Sequence, residues 1–294
     1  ERASVQQAAL INGSAGHAHD YDDVQMAMSG HPTVPVAPVV LALAEHNNYA
    51  GADIIKAFAV GVDAECIVSR FAGTSHYQQG WHATGTMGSF GAAAAAAVLM
   101  GLSAHETALA LGIAGTQAAG LKSQFGTMCK PLHAGHAAAT GAQAAALAAK
   151  GFTSRDNILE VEQGFVDTQS TSADPAKFDR AMAQPGYAQD ICFKYHAACY
   201  MTHSAIEATS NLCARNAFDP NQIKSVTVVV DQGHFKVCNI QKPTTGLEAK
   251  FSLRLTVAMT LAGIDTSSID IFTDELTQDE QLVKFRDLIT VVAH

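Results

Sequence analysis

The sequence predicts a mainly α fold: a large all-α helical domain over residues 1–190 and a smaller α+β domain over 191–294. Three observations predict it. Small and apolar residues recur at helical spacing from the start to about residue 150. Helix start and stop signals punctuate those runs, among them Ser103-Ala104-His105-Glu106 and Lys150-Gly151. After a polar connection comes Ile223-Lys224-Ser225-Val226-Thr227-Val228-Val229-Val230, a β-branched run and the clearest strand of the chain.

The elements follow in order. The chain opens at Glu1 without a Met, in what reads as the middle of a helix, so it is expected to be a piece of a longer protein. Asn12-Gly13 reads as a turn. Pro35 and Pro38 lie near the start of an apolar helix that ends near Glu45. Ala52-Asp53 is a candidate cap for the next helix, whose face holds Ile54, Ala57, Phe58, Val60, Gly61 and Ala64. Gly88–Gly101 contains the run Ala92–Ala97, which suits a buried helix because small side chains let neighbouring helices approach closely. The Ser103–Glu106 capping box starts a helix running to Gly115, and another spans Ala134–Ala149. Residues 151–190 are rich in Asp, Gln, Ser, Thr, Pro and Gly, as in a long connection with short helices. Helices are expected over Ala197–Ala217 and Glu248–Ala262. A lone strand makes no stable sheet, so partner strands are expected from sequence beyond the C-terminus.

Composition excludes several functions. The chain has 294 residues, 48% hydrophobic and 15% charged, enough apolar material for a large core and a subunit interface. Its net charge is −9 and no Lys/Arg block interrupts it, which argues against nucleic acid and anionic membrane as partners. A few converging cations can still bind an anionic metabolite. Six cysteines, none in a CxxC pair, read as reduced thiols in a cytoplasmic protein. Neither a signal peptide nor a transmembrane span is indicated.

The chemistry concentrates in four segments. His17-Ala18-His19-Asp20-Tyr21-Asp22-Asp23, followed by His31-Pro32, puts three histidines and three carboxylates within fifteen residues. Such density suits metal binding, proton transfer or a solvated helix end, and the spacing matches no strong metal signature. Pro32 disfavours helix at His31 and leaves it in a loop. Gly80-Trp81-His82 enters a Gly/Thr/Ser turn before the buried helix, where backbone amides favour an anion. Lys130-Pro131-Leu132-His133 sits before another helix, and a Lys there can meet a carboxylate. Lys194-Tyr195-His196-Ala197-Ala198-Cys199 continues to His203, with Cys199 and His203 on one helical face. That spacing resembles a Cys–His nucleophile pair, but carboxylate binding by Lys194 and His203 is the stronger expectation. No dinucleotide fingerprint, Walker A or Gly-x-Ser-x-Gly is present.

In this order the segments resemble the MmgE/PrpD family, which includes 2-methylcitrate dehydratase, cis-aconitate decarboxylase and iminodisuccinate epimerase. The carriers are Asn12-Gly13, His17, Asp20-Tyr21-Asp22-Asp23 and His31-Pro32; Gly80-Trp81-His82; Gly126-Thr127-Met128-Cys129-Lys130-Pro131-Leu132-His133; Lys194, Cys199 and His203; and Ala249-Lys250-Phe251-Ser252. The resemblance runs through nearly the whole chain. It implies a large all-α domain, a smaller α+β lid domain, an active site between them, a homodimer, and no metal or organic cofactor. Family members extend further at both ends, consistent with a chain truncated at both. Asp20, His31, His82, Lys130 and Lys194 match active-site positions of the family. Cys199 stands where animal cis-aconitate decarboxylases have a pocket His, Val24 where they have Thr, and Leu255 near a family Tyr. These departures point away from the animal decarboxylase.

The resemblance implies a small anionic polycarboxylate substrate and a carbanion-type intermediate. His31 is the expected acid/base group, with Asp20 orienting it or holding a substrate hydroxyl, and His82 completing the anion pocket or protonating a leaving hydroxyl. Lys130, Lys194, His133, Cys199 and His203 are expected to bind the substrate. The expected activity is a cofactor-independent hydro-lyase of the 2-methylcitrate dehydratase type. A decarboxylase, a dicarboxylate epimerase or isomerase, and a non-catalytic dimeric scaffold remain alternatives.

Overall fold

Local sequence signals fix where most helices begin. Ser4 accepts from the Gln7 N–H, and the Gln7 side chain returns to the Ser4 N–H, so a capping box opens α1 (Val5–His17). The computed structural model describes residues 3–216 and 219–294, so Glu1 and the expected helical position of Ala217 lie outside the described residues. Asn12-Gly13 is not a turn: it lies inside α1.

The chain forms two units. The first takes the residues up to Ala18, then Asp22–Ser123 and Cys129–Phe193. After α1 it holds α2 (Thr33–Asn47), α3 (Gly51–Ala72), α4 (Thr74–Gln78), α5 (Ala83–Leu99), α6 (Ala104–Gly115) and α7 (Cys129–Ala148). Two short helices, α8 (Phe165–Gln169) and α9 (Pro175–Ala183), lie in the polar connection. Ala50, not Ala52-Asp53, is the N-cap of α3, and Asp53 serves instead as the acidic residue of its first turn. Pro38 lies within α2, which starts at Thr33 and ends at left-handed Asn48.

Helix α5 is the centre of this unit. Nearly all its residues are buried, and Ala92, Ala95 and Ala96 pack with Val36, Val39, Leu43, Ala57, Ala138 and Ala142 from α2, α3 and α7. Alanine and glycine along α5 admit helices on several sides at once, which is why the alanine run is core and not a low-complexity tract. A second apolar cluster joins Met28, Val62, Phe71, Met87, Phe90 and Phe165.

The second unit takes His19–Tyr21, Gln124–Met128 and Lys194–His294. It contains α10 (Tyr200–Arg215), β1 (Val226–Val230), α11 (Gln232–Val237), α12 (Gly246–Ala249), α13 (Leu253–Leu261), α14 (Glu280–Asp287) and β2 (Ile289–Ala293). The partner of β1 lies within this chain: β2 pairs with it in parallel, Val226 opposite Ile289 through Val230 opposite Ala293. A parallel pair needs a long crossover, supplied by α11–α14. The single helix expected over Glu248–Ala262 is two, because Ser252 caps α13 by accepting from the Leu255 N–H. Phe251, Leu253, Leu255, Met259, Leu282, Phe285 and Ile289 form the buried side of this unit. The fold is mainly α, with this small two-stranded sheet its only sheet among the described residues.

Candidate active site

Two glycines set up the first unit's polar cluster. A Cβ on Gly135 would meet Leu10 O and Ser14 Oγ at 2.2 Å, and one on Gly13 would meet Gly135 Cα at 2.8 Å. Helices α1 and α7 therefore cross with backbones almost touching. The close crossing sets the last residue of α1, His17, against the first turn of α7, where Lys130 lies. Lys130 Nζ is 2.7 Å from His17 Nε2, and both side chains are buried.

The other nitrogen of His17 fixes its tautomer. Nδ1 lies 2.9 and 2.8 Å from the two oxygens of Asp22. With Nδ1–H donating to Asp22, Nε2 carries the lone pair that accepts from Lys130. His31 enters from the loop before α2, its Nδ1 3.0 Å from Asp22 Oδ2. Its backbone N–H donates to Thr84 Oγ1 at 3.0 Å, tying the loop to α5. The His17 and His31 rings meet edge-on at 4.5 Å between centroids, and His17 stacks with His82 at 5.9 Å.

His82 is the N-cap of α5, held by its N–H to Gly120 O and by the adjoining Trp81–Leu121 bridge. Its Nδ1 is 3.0 Å from His133 Nδ1, so one ring donates and the other accepts. Four histidines, one carboxylate and one ammonium thus meet in one buried patch. Sequence reasoning named His31, His82, Lys130 and His133 for roles here. His17 and Asp22, with His19 and Asp20, were weighed there as a metal site.

Burial governs the charges. It lowers His17 to about 4, helped by the Lys130 and His31 charges and opposed by Asp22. It also depresses His82 strongly, with Lys130 and His17 adding to the effect. His133 is lowered by burial and then by Lys130. Burial alone would raise Asp22, but the His17 and His31 imidazoles hold it well below the usual carboxylate range. At neutral pH His17 is neutral and Asp22 ionised, so the line Asp22–His17–Lys130 runs from anion through neutral ring to cation.

The neighbouring Asp23 is structural. It accepts from Thr33 Oγ1 at 2.5 Å and from the Thr33 N–H at 3.3 Å, which ties it to the start of α2. Burial raises its carboxyl. The ligand atoms of His17, Asp22 and His31 lie within 4.8 Å of one another, a spacing that suits a divalent cation. The donor chemistry fits poorly. Lys130 already places positive charge at His17, and a cation would have to break both Asp22–imidazole contacts.

The second unit holds the remaining predicted residues. Asp20 has a left-handed backbone, φ 50°, and presents both its carbonyl and Oδ1 to Lys194 Nζ, at 2.5 and 3.2 Å. Both side chains are buried. Asp22 Oδ2 lies 3.0 Å from His31 Nδ1, and Asp20 is held by Lys194. Cys199 is the N-cap of α10 and so precedes its first helical residue. The His203 Nε2 is 3.3 Å from Ala198 O, and burial, then His196 and Lys194, lower its pKa to about 4. Val24 and Leu255 are both buried, Leu255 completely.

Among the described residues no helix is long and apolar enough to cross a membrane. The MmgE/PrpD N-terminal domain matches residues 1–177 and the MmgE/PrpD C-terminal domain residues 196–294. The cis-aconitate decarboxylase of Homo sapiens is 32% identical over 272 residues, covering 87% of this chain and 55% of that protein. The cis-aconitate decarboxylase-like protein oryM of Aspergillus oryzae is 31% identical over 84% of this chain and 52% of its own length. Cis-aconitate decarboxylase of Aspergillus terreus is 28% identical over 86% and 56%. The chain spans about half the length of these relatives. With both domain matches in sequence order and covering most of its length, this chain belongs to the MmgE/PrpD family.

Proposed function

We propose that this chain carries acid–base and anion-binding machinery of a lyase that acts on a small polycarboxylate. The observation that carries the proposal is the buried Lys130 ammonium on His17, whose far nitrogen is bound to Asp22. Burying a cation in the first turn of a helix runs against the helix dipole and costs desolvation. Its neighbour His17 is neutral, and a lysine ammonium makes strong charge-assisted hydrogen bonds with carboxylates.

The chemistry follows from that geometry. A carboxylate fixed by Lys130 accepts the electron pair left on the adjoining carbon as an aci-carboxylate, and fixed positive charge lowers the energy of that species. His31 exchanges the proton at carbon. Asp22 Oδ2, 3.0 Å from its Nδ1, places a carboxylate charge beside the ring. His82, neutral through burial and linked to His133, donates a hydrogen bond to the anion or a proton to a leaving hydroxyl. In the second unit Lys194 is a buried lysine held by Asp20.

Within this class we favour decarboxylation, since the relatives above bear the name cis-aconitate decarboxylase. The hydro-lyase and epimerase alternatives share the same intermediate. The test is NMR in heavy water on the full-length protein with cis-aconitate, 2-methylcitrate, citrate and substituted succinates. Loss of CO2 with one deuteron gained supports decarboxylation. Loss of water from 2-methylcitrate or citrate supports the hydro-lyase. Exchange with inversion supports the epimerase. Neither turnover nor exchange with any compound, in folded protein, overturns the proposal.

A further inference from the structure

Two residues that the proposed chemistry leaves unused, His76 and Trp81, pack together beside the start of α5. Their rings stack at 5.9 Å between centroids and 13° between planes, and Phe165 tilts against His76 at 5.7 Å. His76 lies in α4 and is 1% exposed. Its Nδ1 is 3.1 Å from Gln169 O, and a carbonyl only accepts, so Nδ1 carries the proton. Nε2 then holds a lone pair and accepts from the Thr86 hydroxyl at 2.8 Å. Burial lowers His76 to about 4, opposed by the Gln169 carbonyl, so the ring is neutral at neutral pH. Both ring nitrogens are engaged, so His76 acts through its neighbours and not on a substrate.

Those neighbours lead to His82. Trp81 precedes it directly, and the Trp81 N–H donates to His76 O at 3.4 Å. Thr86 lies one turn after it. The Thr86 N–H donates to His82 O at 3.1 Å, and the Thr86 hydroxyl oxygen is 3.3 Å from the same carbonyl. His82 is an N-cap without a side-chain capping bond, so the direction of its ring depends on how its backbone is held. Gly120 O holds that backbone at its N–H, and His76, Trp81 and Thr86 flank it. The same turn of α5 carries Thr84, whose hydroxyl oxygen accepts from the His31 N–H at 3.0 Å. The start of α5 thus anchors two histidines of the polar patch.

We propose that His76 is a positioning residue for His82. Its imidazole holds the Trp81 ring by stacking and the Thr86 hydroxyl by a hydrogen bond. Together they fix the backbone that sets the His82 ring 3.0 Å from His133 Nδ1 and 5.9 Å from the His17 ring. The proposal rests on the reading of His82 as the donor to a substrate anion. Two variants separate the contacts. His76→Phe keeps an aromatic ring against Trp81 and loses both hydrogen bonds. Thr86→Val keeps the branched shape of the side chain and loses the hydroxyl.

The test is proton–nitrogen NMR of the histidine rings in the full-length protein, with signals assigned from His82→Gln and His133→Gln. In Thr86→Val and His76→Phe the ring signals of His82 and His133 are expected to move as their contact loosens. In Thr86→Ser, which keeps the hydroxyl, they are expected to stay at the wild-type positions. Turnover of the polycarboxylate that the protein processes should fall about tenfold in Thr86→Val and recover in Thr86→Ser, since a slight misplacement of a reacting group costs rate. If His76→Phe does not fold, Thr86→Val decides alone. His82 and His133 signals that stay in place in folded Thr86→Val, or that move equally in Thr86→Ser, would overturn the proposal. A wild type that turns over no polycarboxylate overturns the lyase reading instead, and the ring signals still decide whether His76 positions His82.

Discussion

Lys130 Nζ lies 2.7 Å from Nε2 of His17, a contact between a buried lysine and a neutral ring. A core position would normally hold an apolar residue here, because burying an ammonium costs several kcal/mol (on the order of 5) unless it is well paired. An entering carboxylate would add a charge-assisted partner to this ammonium.

Asp22 is expected to matter more for activity than Asp20. Its carboxylate sets the tautomer of His17 and contacts His31. Asp22→Asn can donate from its amide and stabilise the wrong tautomer. We expect turnover or proton exchange to fall by roughly 10²–10⁴-fold, the range for a general acid–base group. The check is the rate with whichever polycarboxylate the full-length protein processes. A loss under threefold would remove Asp22 from the account.

Acid should destabilise the fold through His17. Unfolded, this imidazole takes its proton near 6.5; folded, near 4. Between those values the unfolded chain binds more protons, so stability rises with pH. The contribution is complete above about 6.5 and is lost as pH falls toward 4, on the order of 3 kcal/mol in all. His76 and His203, each lowered to about 4 by burial first, act in the same direction. Asp22, held below its usual range, extends the loss to lower pH. Melting temperatures of the wild type and His17→Gln between pH 7 and 5 check this. The variant should show the flatter profile, and equal slopes would refute the assignment.

The α1–α7 crossing should tolerate no added methyl. In Gly135→Ala the new Cβ meets Leu10 O at 2.2 Å, a backbone atom that cannot swing away. Overpacking of this kind costs about 1–3 kcal/mol. Gly51→Ala, at the start of α3 with nothing within 4 Å, should instead stabilise by about 0.5 kcal/mol. Urea midpoints of the two variants are expected to move in opposite directions.

How much was legible in the sequence depended on how local each signal was. The Ser103–Glu106 capping box is complete within four residues, and α6 starts where it says. The starts of α5 and α7 were less visible. Ala83–Met87 and Cys129–His133 read as turn and loop because Gly, Thr and Pro dominate them, yet packing makes both helical. Gly85 is buried, and a Cβ there would run into Ala119 O, a constraint only the fold reveals. Strand β2 has five residues at the chain's end, too few for periodicity to separate it from the tail of α14.

The site divides the same way. Residue chemistry marked the His17–Asp23 stretch as unusual but could not choose among Asp20, Asp22 and Asp23. The roles depend on the turn after His17, where Asp20 adopts φ 50° and Asp22 contacts both His17 and His31. Nothing in a sequence pattern fixes that turn. His17 was equally hidden, because its partner Lys130 is far away in the chain and meets it only through the Gly13–Gly135 crossing.

The central claim is that Lys130 and His17 form an anion site, and histidine NMR on wild type and Lys130→Met tests it most directly. Titrating cis-aconitate into the wild type should shift the His17 and His82 resonances saturably. In Lys130→Met those shifts should vanish, and the His17 pKa should rise from about 4, because the ammonium helps to depress it. Identical carboxylate-induced shifts in both proteins would contradict the account.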